Sequence, residues 1–189
     1  MKRIVVVGAG PAGMMAATAA AECGGSVVLL EKMSRIGRKM MITGKGRCNV
    51  TSADDIPDIV EHIVGNGRFL SSAIRSFDNM QVMAFFQAQG VPLKVERGNR
   101  VFPQSDRAVD VVDAMVRHLR DLRVEIRTGA TAENIMLNDS VVRGVQLSSG
   151  EHVRADAVIL ATGGASYPLT GSSGDGYVMA RRAGHHVTP

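Results

Sequence analysis

Cysteine is scarce in this chain. Cys23 and Cys48 are the only two among 189 residues, and they form no CxxC pair. That excludes a redox-active dithiol and a disulfide framework, and it predicts a reducing, cytoplasmic setting. No apolar span is long enough to cross a membrane. The start has the outline of a secretory signal, basic Lys2-Arg3 and then apolar residues to Ala21, but Gly8, Gly10, Pro11 and Gly13 would break the helix such a signal needs. Acid is missing from one stretch: from Lys32 to Ala53 come Lys32, Arg35, Arg38, Lys39, Lys45 and Arg47 with no Asp or Glu. Such a cluster wants an anion. Aromatics are missing between Glu31 and Phe69. A nucleic-acid patch there would have no rings for base stacking, so no nucleic-acid partner is expected. No residue stands out as a catalytic acid or base, and no metal-ligand set is read from the chain.

With 45% apolar and 21% charged residues and a formal charge of +4, the chain can bury one ordinary core. The first 31 residues organise it. Ile4-Val5-Val6-Val7 is short, continuous and β-branched, which suits a strand buried on both faces of a parallel sheet. Gly8-Ala9-Gly10-Pro11-Ala12-Gly13 follows. Gly8 allows a tight turn, Gly10 removes a Cβ that would hold a pyrophosphate off the backbone, and Gly13 lets the helix lie close on the sheet. Pro11 suits the first helical turn, and the helix N-terminus offers free N–H groups to phosphate. Ser26-Val27-Val28-Leu29-Leu30 then ends in Glu31, a carboxylate placed to accept bonds from ribose hydroxyls. Strand, glycine turn, helix, strand and acid together predict a dinucleotide site.

Residues 33–52 lose periodicity and read as a loop in which Gly37, Gly44 and Gly46 alternate with cations. A cofactor would present phosphates to Arg38 and Lys39 and a ring system to the backbone from Gly44 to Asn49. Cys48 reads first as a small packing residue; Lys45 and Arg47 beside it leave a reactive thiolate as the alternative. Helices are expected over 55–64 and 69–89, the latter with a core face, forming an excursion from the sheet. A hairpin follows, 93–96 with 100–102, and then a helix capped by Ser105 or Asp106 that runs to Leu122. Strands are expected at 124–127, at 131–137, 142–147 and 151–154 as a meander, and at 157–161. The last empties into Ala161-Thr162-Gly163-Gly164, a turn at the carboxyl edge of the sheet. Ser173 or Asp175 would cap a closing helix to Ala183. The fold class is α/β, a doubly wound Rossmann-like sheet with a β-meander crossover and a helical insertion.

On GAGPAG at 8–13, Glu31-Lys32, ITGKGRCNVT at 42–51, Val101-Phe102-Pro103 and ATGGASYP with TGS and GDG from Ala161 to Gly176, the chain resembles a bacterial family of NAD(P)/FAD-dependent oxidoreductases that includes aminoacetone-oxidase-like flavoproteins. The resemblance implies FAD: Gly8, Gly10, Pro11, Ala12 and Gly13 on the pyrophosphate, Glu31 with Lys32 at the adenosine ribose, and the strand at Ala132 beside the adenine. Lys39, Gly44, Arg47, Cys48 and Asn49 fall on the flavin side, with Arg38 facing phosphate, and Ala161, Thr162, Gly163 and Gly164 form the second wall. The family has a valine where this chain has Ala132, a contact made through backbone. Lys45 or Arg47 near the flavin would stabilise a reduced anionic ring.

Members of that family are about twice as long. The expectation is therefore an N-terminal portion, 1–189, of an FAD-binding domain, with a helical insertion at about 55–103 and the meander at about 131–154. The full-length enzyme would pass a hydride equivalent between a small organic substrate and an acceptor, with NAD(P)H a candidate donor. An NAD-only dehydrogenase, a non-catalytic truncated fragment and, from the charge, an RNA-associated flavoprotein are the alternatives.

Overall fold

The computed structural model describes residues 1–188. In chain order the elements are β1 (Arg3–Val7), α1 (Pro11–Glu22), β2 (Ser26–Glu31), α2 (Arg38–Ile42), β3 (Thr51–Ser52), α3 (Ile56–Glu61), α4 (Ser71–Ser76), α5 (Asn79–Ala88), β4 (Leu93–Glu96), β5 (Arg100–Pro103), α6 (Ala108–Asp121), β6 (Glu125–Thr128), β7 (Ala132–Asn138), β8 (Val141–Leu147), β9 (His152–Arg154), β10 (Ala157–Leu160) and α7 (Asp175–Arg182). The chain divides into two compact units, Met1–Lys39 with Val116–Pro189, and Met40–Met115.

The first unit is built on a parallel sheet of order β10-β1-β2-β6, as the buried β-branched runs predict. Val5 and Val6 of β1 are fully buried and Val7 nearly so. Each such side chain contributes on the order of 1.5–3 kcal/mol relative to exposure. Alternation sends Val5, Val7, Val28 and Leu30 to one face, where they pack with Ala132, Val145, Leu147 and Val153 of the antiparallel meander β7-β8-β9 and with Met179 of α7. In α1, Met14 and Ala17 are fully buried.

The second unit holds the antiparallel sheet β3-β5-β4 and the helices α3 to α5. Two expectations fail within the excursion. The helix expected over 69–89 is broken: α4 stops at Ser76, and Asp78 caps α5 through a reciprocal box with Gln81. Each side chain takes the other residue's backbone N–H, which makes a new start cheaper than continuation. The expected core face fails too, since Phe69 is 81% exposed and Met80 59%. Phe86 is buried, and it meets Phe85 edge-to-face at 5.2 Å. Residues 33–52 are likewise more regular than a loop, with α2 and a 3-10 turn at Thr43–Gly46.

Candidate functional site

In the parallel sheet, the chain leaves β1 for β2 on one side and returns as β10 on the other. Open α/β sheets take ligands in the crevice at the carboxyl ends of the strands where the order reverses, here β1 and β10. Both strands end in glycine turns. Gly8 has φ +100° and donates its N–H to Leu30 O at 2.8 Å. A Cβ on Gly8 would stand 2.6 Å from Ala161 O and 2.9 Å from Thr162 Cα, and one on Gly13 would stand 1.8 Å from Gly8 O and 3.3 Å from Ala161 Cβ. The two turns are therefore in mutual contact, too close for any side chain at either glycine.

Gly10 is different. Its φ of −77° suits any residue, and a Cβ there would meet nothing within 4 Å. It is the N-cap of α1 and brings no capping side chain, while Pro11 at the first helical position has no N–H to satisfy. The first-turn N–H groups of α1, with Ala12 exposed beside them, lack intrahelical acceptors and carry the positive end of the helix dipole. An open backbone face at a helix N-terminus fits a pyrophosphate.

Glu31 does more than the sequence suggests. Its Oε2 accepts the Ala9 N–H and its Oε1 the Met33 N–H, both at 2.9 Å, so the carboxylate ties the glycine turn to the end of β2. Each oxygen keeps acceptor capacity for a hydroxyl as well. Lys32 and Lys39 are already engaged within their own unit. Lys32 Nζ donates to Ser173 Oγ and to Asp175 Oδ2, the latter at 2.5 Å. Partial burial opposes charge on Asp175, but the bonds from Lys32 and Ser173 outweigh it and hold the carboxyl below the usual Asp range. Lys39 Nζ donates to Ser166 Oγ at 3.0 Å and lies 5.3 Å from the centre of the Tyr167 ring. The two lysines thus fasten both ends of the loop that follows Gly164. The sequence predicts Ser173 or Asp175 as the cap of the closing helix; the N-cap of α7 is instead Gly174, at φ +84° and without a side-chain bond.

The rest of the rim is quickly placed. Arg38 opens α2 half-buried, and Ala132 opens β7 in the core. Gly163, at φ +74°, lies against Ser172 Oγ, and Gly164 against the Tyr177 hydroxyl. Thr162 packs where α7 begins, since a Cβ on Gly176 would fall 2.2 Å from its Oγ1.

Gly44, Arg47, Cys48 and Asn49 belong to the second unit. Gly44 (φ +55°), Lys45 (+60°), Gly46 (+88°) and Cys48 (+62°) all lie in the left-handed region. For each of the two non-glycines that costs about 1–2 kcal/mol. A Cβ on Gly44 would strike the buried Phe102 ring at 2.6 Å. Cys48 is buried, and burial pushes its thiol up while a bond with Thr43 partly offsets this; it is a packing residue. With its amide turned so that the nitrogen faces these carbonyls, Asn49 donates to Val101 O and Thr51 O, at 3.2 and 3.1 Å. The anion that the basic stretch wanted is, for Arg47, in the protein itself: Nη1 reaches Glu96 Oε1 and Oε2 at 2.9 and 3.1 Å and Asp106 Oδ1 at 3.3 Å. Asp106, expected to cap α6, gives its other oxygen to Lys94 at 2.7 Å.

A parallel sheet with a tight glycine turn, a helix N-terminus and an acid at the end of the second strand defines a Rossmann-type α/β domain. The chain belongs to the HI0933-like protein Rossmann domain family, whose model matches residues 2–189. It is 35% identical over 193 residues to a 3-dehydro-bile acid delta(4,6)-reductase of Clostridium scindens, covering 100% of this chain and 46% of that protein. It is 27% identical over 188 residues to a ribosomal RNA dihydrouridine synthase of Haemophilus influenzae, covering 98% and 46%. The chain thus spans about half the length of these relatives. The fold also matches a 3-ketosteroid-delta4-(5alpha)-dehydrogenase from Rhodococcus jostii RHA1, with a TM-score of 0.73, 17% identity and coverage of 98% of this chain and 55% of that one. Among the described residues no helix is long and apolar enough to cross a membrane, and no cluster of His, Cys, Asp and Glu could hold a metal ion.

Proposed function

We propose that this chain is the dinucleotide-binding portion of a flavoprotein oxidoreductase and that its ligand is FAD. The observation that carries this reading is Gly10: nothing in the protein requires a glycine there, and the space in front of it is open at a helix N-terminus. In the proposal, Gly10, Ala12 and Gly13 receive the pyrophosphate on backbone N–H groups, and Pro11 presets the first turn without donating. Glu31 accepts a ribose hydroxyl with the lone pairs left over from Ala9 and Met33. Ala161, Thr162, Gly163 and Gly164 close the opposite wall, and the backbone at Ala132 serves the adenine side. The flavin supplies the hydride chemistry and the protein supplies orientation and electrostatics.

The relatives' names narrow the substrate class. A delta(4,6)-reductase and a dihydrouridine synthase are both named for adding hydrogen across an unsaturated bond. We take that reaction for the full-length protein; one relative is named for a bile acid and the other for ribosomal RNA, and the small unsaturated compound is taken because the bile-acid reductase is the more identical, at 35% against 27%. A nicotinamide donor is not part of the proposal.

The test is Gly10→Ala in the full-length protein, compared with wild type. Ligand released by heat from wild type is expected to be FAD by chromatography. The alanine variant should melt at the wild-type temperature in flavin-free form and retain less than a tenth of the flavin. NAD in the released fraction, or full flavin retention by the variant, would remove the reading.

A further inference from the structure

We infer that Arg47 is a positioning residue, a latch that holds the 44–48 turn in its left-handed bends, and that it is not a ligand for a cofactor or substrate anion. This rests on the reading of the chain as a flavin-binding portion only for its second readout.

Four of the five residues from Gly44 to Cys48 have positive φ, and two of them, Lys45 and Cys48, are not glycine. Such a run does not hold itself. Arg47 is the fifth residue, and its guanidinium has three attachments. Nε donates back to Gly44 O at 3.3 Å, across the turn. Nη1 is shared between both oxygens of Glu96 and one of Asp106. Cζ of the group lies 4.1 Å from the centre of the Phe102 ring, the same ring that leaves no room for a side chain on Gly44. Lys94 completes the arrangement, 2.7 Å from Asp106 and 3.3 Å from Glu96, so two cations face two anions. Arg47 is held above its usual pKa, first by the bond to Glu96, and remains charged throughout.

An Arg in a nucleotide site is ordinarily kept free to meet phosphate. Here Nη1 is taken by two carboxylates, Nε by the Gly44 carbonyl, and Cζ lies over an aromatic ring, which leaves Nη2 as the one donor nitrogen without a bond among the described residues. The cation that the turn leaves outward is Lys45, which is exposed.

A latch and a ligand respond oppositely to loss of the carboxylates. Arg47→Lys, Glu96→Gln and Asp106→Asn would be made in the full-length protein, with Arg47→Lys/Glu96→Gln as the double variant. Amide hydrogen exchange at residues 45–48 would be read in flavin-free protein, and flavin affinity separately. For a latch, Arg47→Lys and Glu96→Gln each speed exchange at these amides at least fivefold, the double variant is no faster than the worse single, and Glu96→Gln weakens flavin binding in step with Arg47→Lys. If Arg47→Lys weakens flavin binding while Glu96→Gln leaves exchange unchanged and binding equal or tighter, Arg47 is a ligand and the inference is overturned. Unchanged exchange in both variants overturns it as well. Because exchange is measured without flavin, failure of the FAD reading leaves this result standing.

Discussion

The two glycine-bearing bends of this protein, at 8–13 in the first unit and at 44–48 in the second, reach unusual backbone by opposite means. The first uses absence: Gly8 and Gly13 are glycine because neighbouring backbone occupies the space a Cβ would need, and one carboxylate, Glu31, anchors the turn between them. The second tolerates side chains in left-handed positions and offsets the strain with a quartet of charges over an aromatic ring. The steric contacts of the first bend resist salt and acid. A bend held by partly exposed ion pairs does not.

The largest effect that tests this contrast is Gly13→Ala. With Gly8 O only 1.8 Å from the new Cβ, backbone must move in both the turn and α1. The expected cost is about 4 kcal/mol or more, at the far end of single substitutions. Thermal denaturation should show a collapse of folded protein, against the unchanged melting expected for Gly10→Ala. A stable Gly13→Ala protein would mean the first bend is not held by sterics.

Next comes Glu31→Gln. A neutral amide can accept one of the two N–H groups now satisfied by the carboxylate and turns a donor toward the other. Losing one charge-assisted bond and leaving a donor unpaired predicts about 1–3 kcal/mol less stability. Urea denaturation of flavin-free protein reads this. Loss of flavin with no loss of stability would reduce Glu31 to a ribose ligand alone.

These two effects also mark what could be read from the chain alone. The first bend was legible because its logic is local: glycines at fixed spacing after an apolar β-branched run, then an acid at the end of the next one. The parallel sheet followed from the same runs. What escaped the sequence is what depends on partners distant in the chain. Arg47 looked like an anion site because its carboxylates, Glu96 and Asp106, lie 49 and 59 residues away. Lys32 looked free for the same reason, with Asp175 143 residues on. One local signal was overlooked: Asp78 and Gln81, three apart, announce a helix start inside what spacing alone read as one continuous helix.

Acid is a gentler probe of the same contrast. Asp106 lies below the usual Asp range, first through its bond from Lys94; Glu96 lies below its own because bonds from Arg47 and Lys94 outweigh the burial that opposes its charge. A carboxyl lowered in the folded state stabilises the fold above its unfolded pKa, and that stabilisation is lost as pH falls through the folded value. The 44–48 turn should therefore loosen only below about pH 4, and at neutral pH high salt should loosen it partly. Proton chemical shifts of the 45–48 amides would follow this. A turn unmoved by acid and salt would place the burden on Phe102 stacking instead.

The smallest effect is the most telling about Lys45. It is exposed, so Lys45→Gly removes no packing, and at φ +60° glycine relieves strain. The variant should gain about 0.5–1 kcal/mol, which is the strain relieved after the greater chain entropy that glycine brings to the unfolded state has been subtracted. Cys48→Gly should gain nothing, because the buried side chain of Cys48 is lost with the strain. Lys45 carries that strain together with a charge, and in the proposed flavoprotein a cation beside a reduced anionic flavin would raise the reduction potential. Lys45→Met, which keeps the backbone cost and removes the charge, separates the two: the flavin midpoint should fall while stability stays at the wild-type value. An unmoved midpoint would leave Lys45 as ordinary surface and the second bend as structure alone.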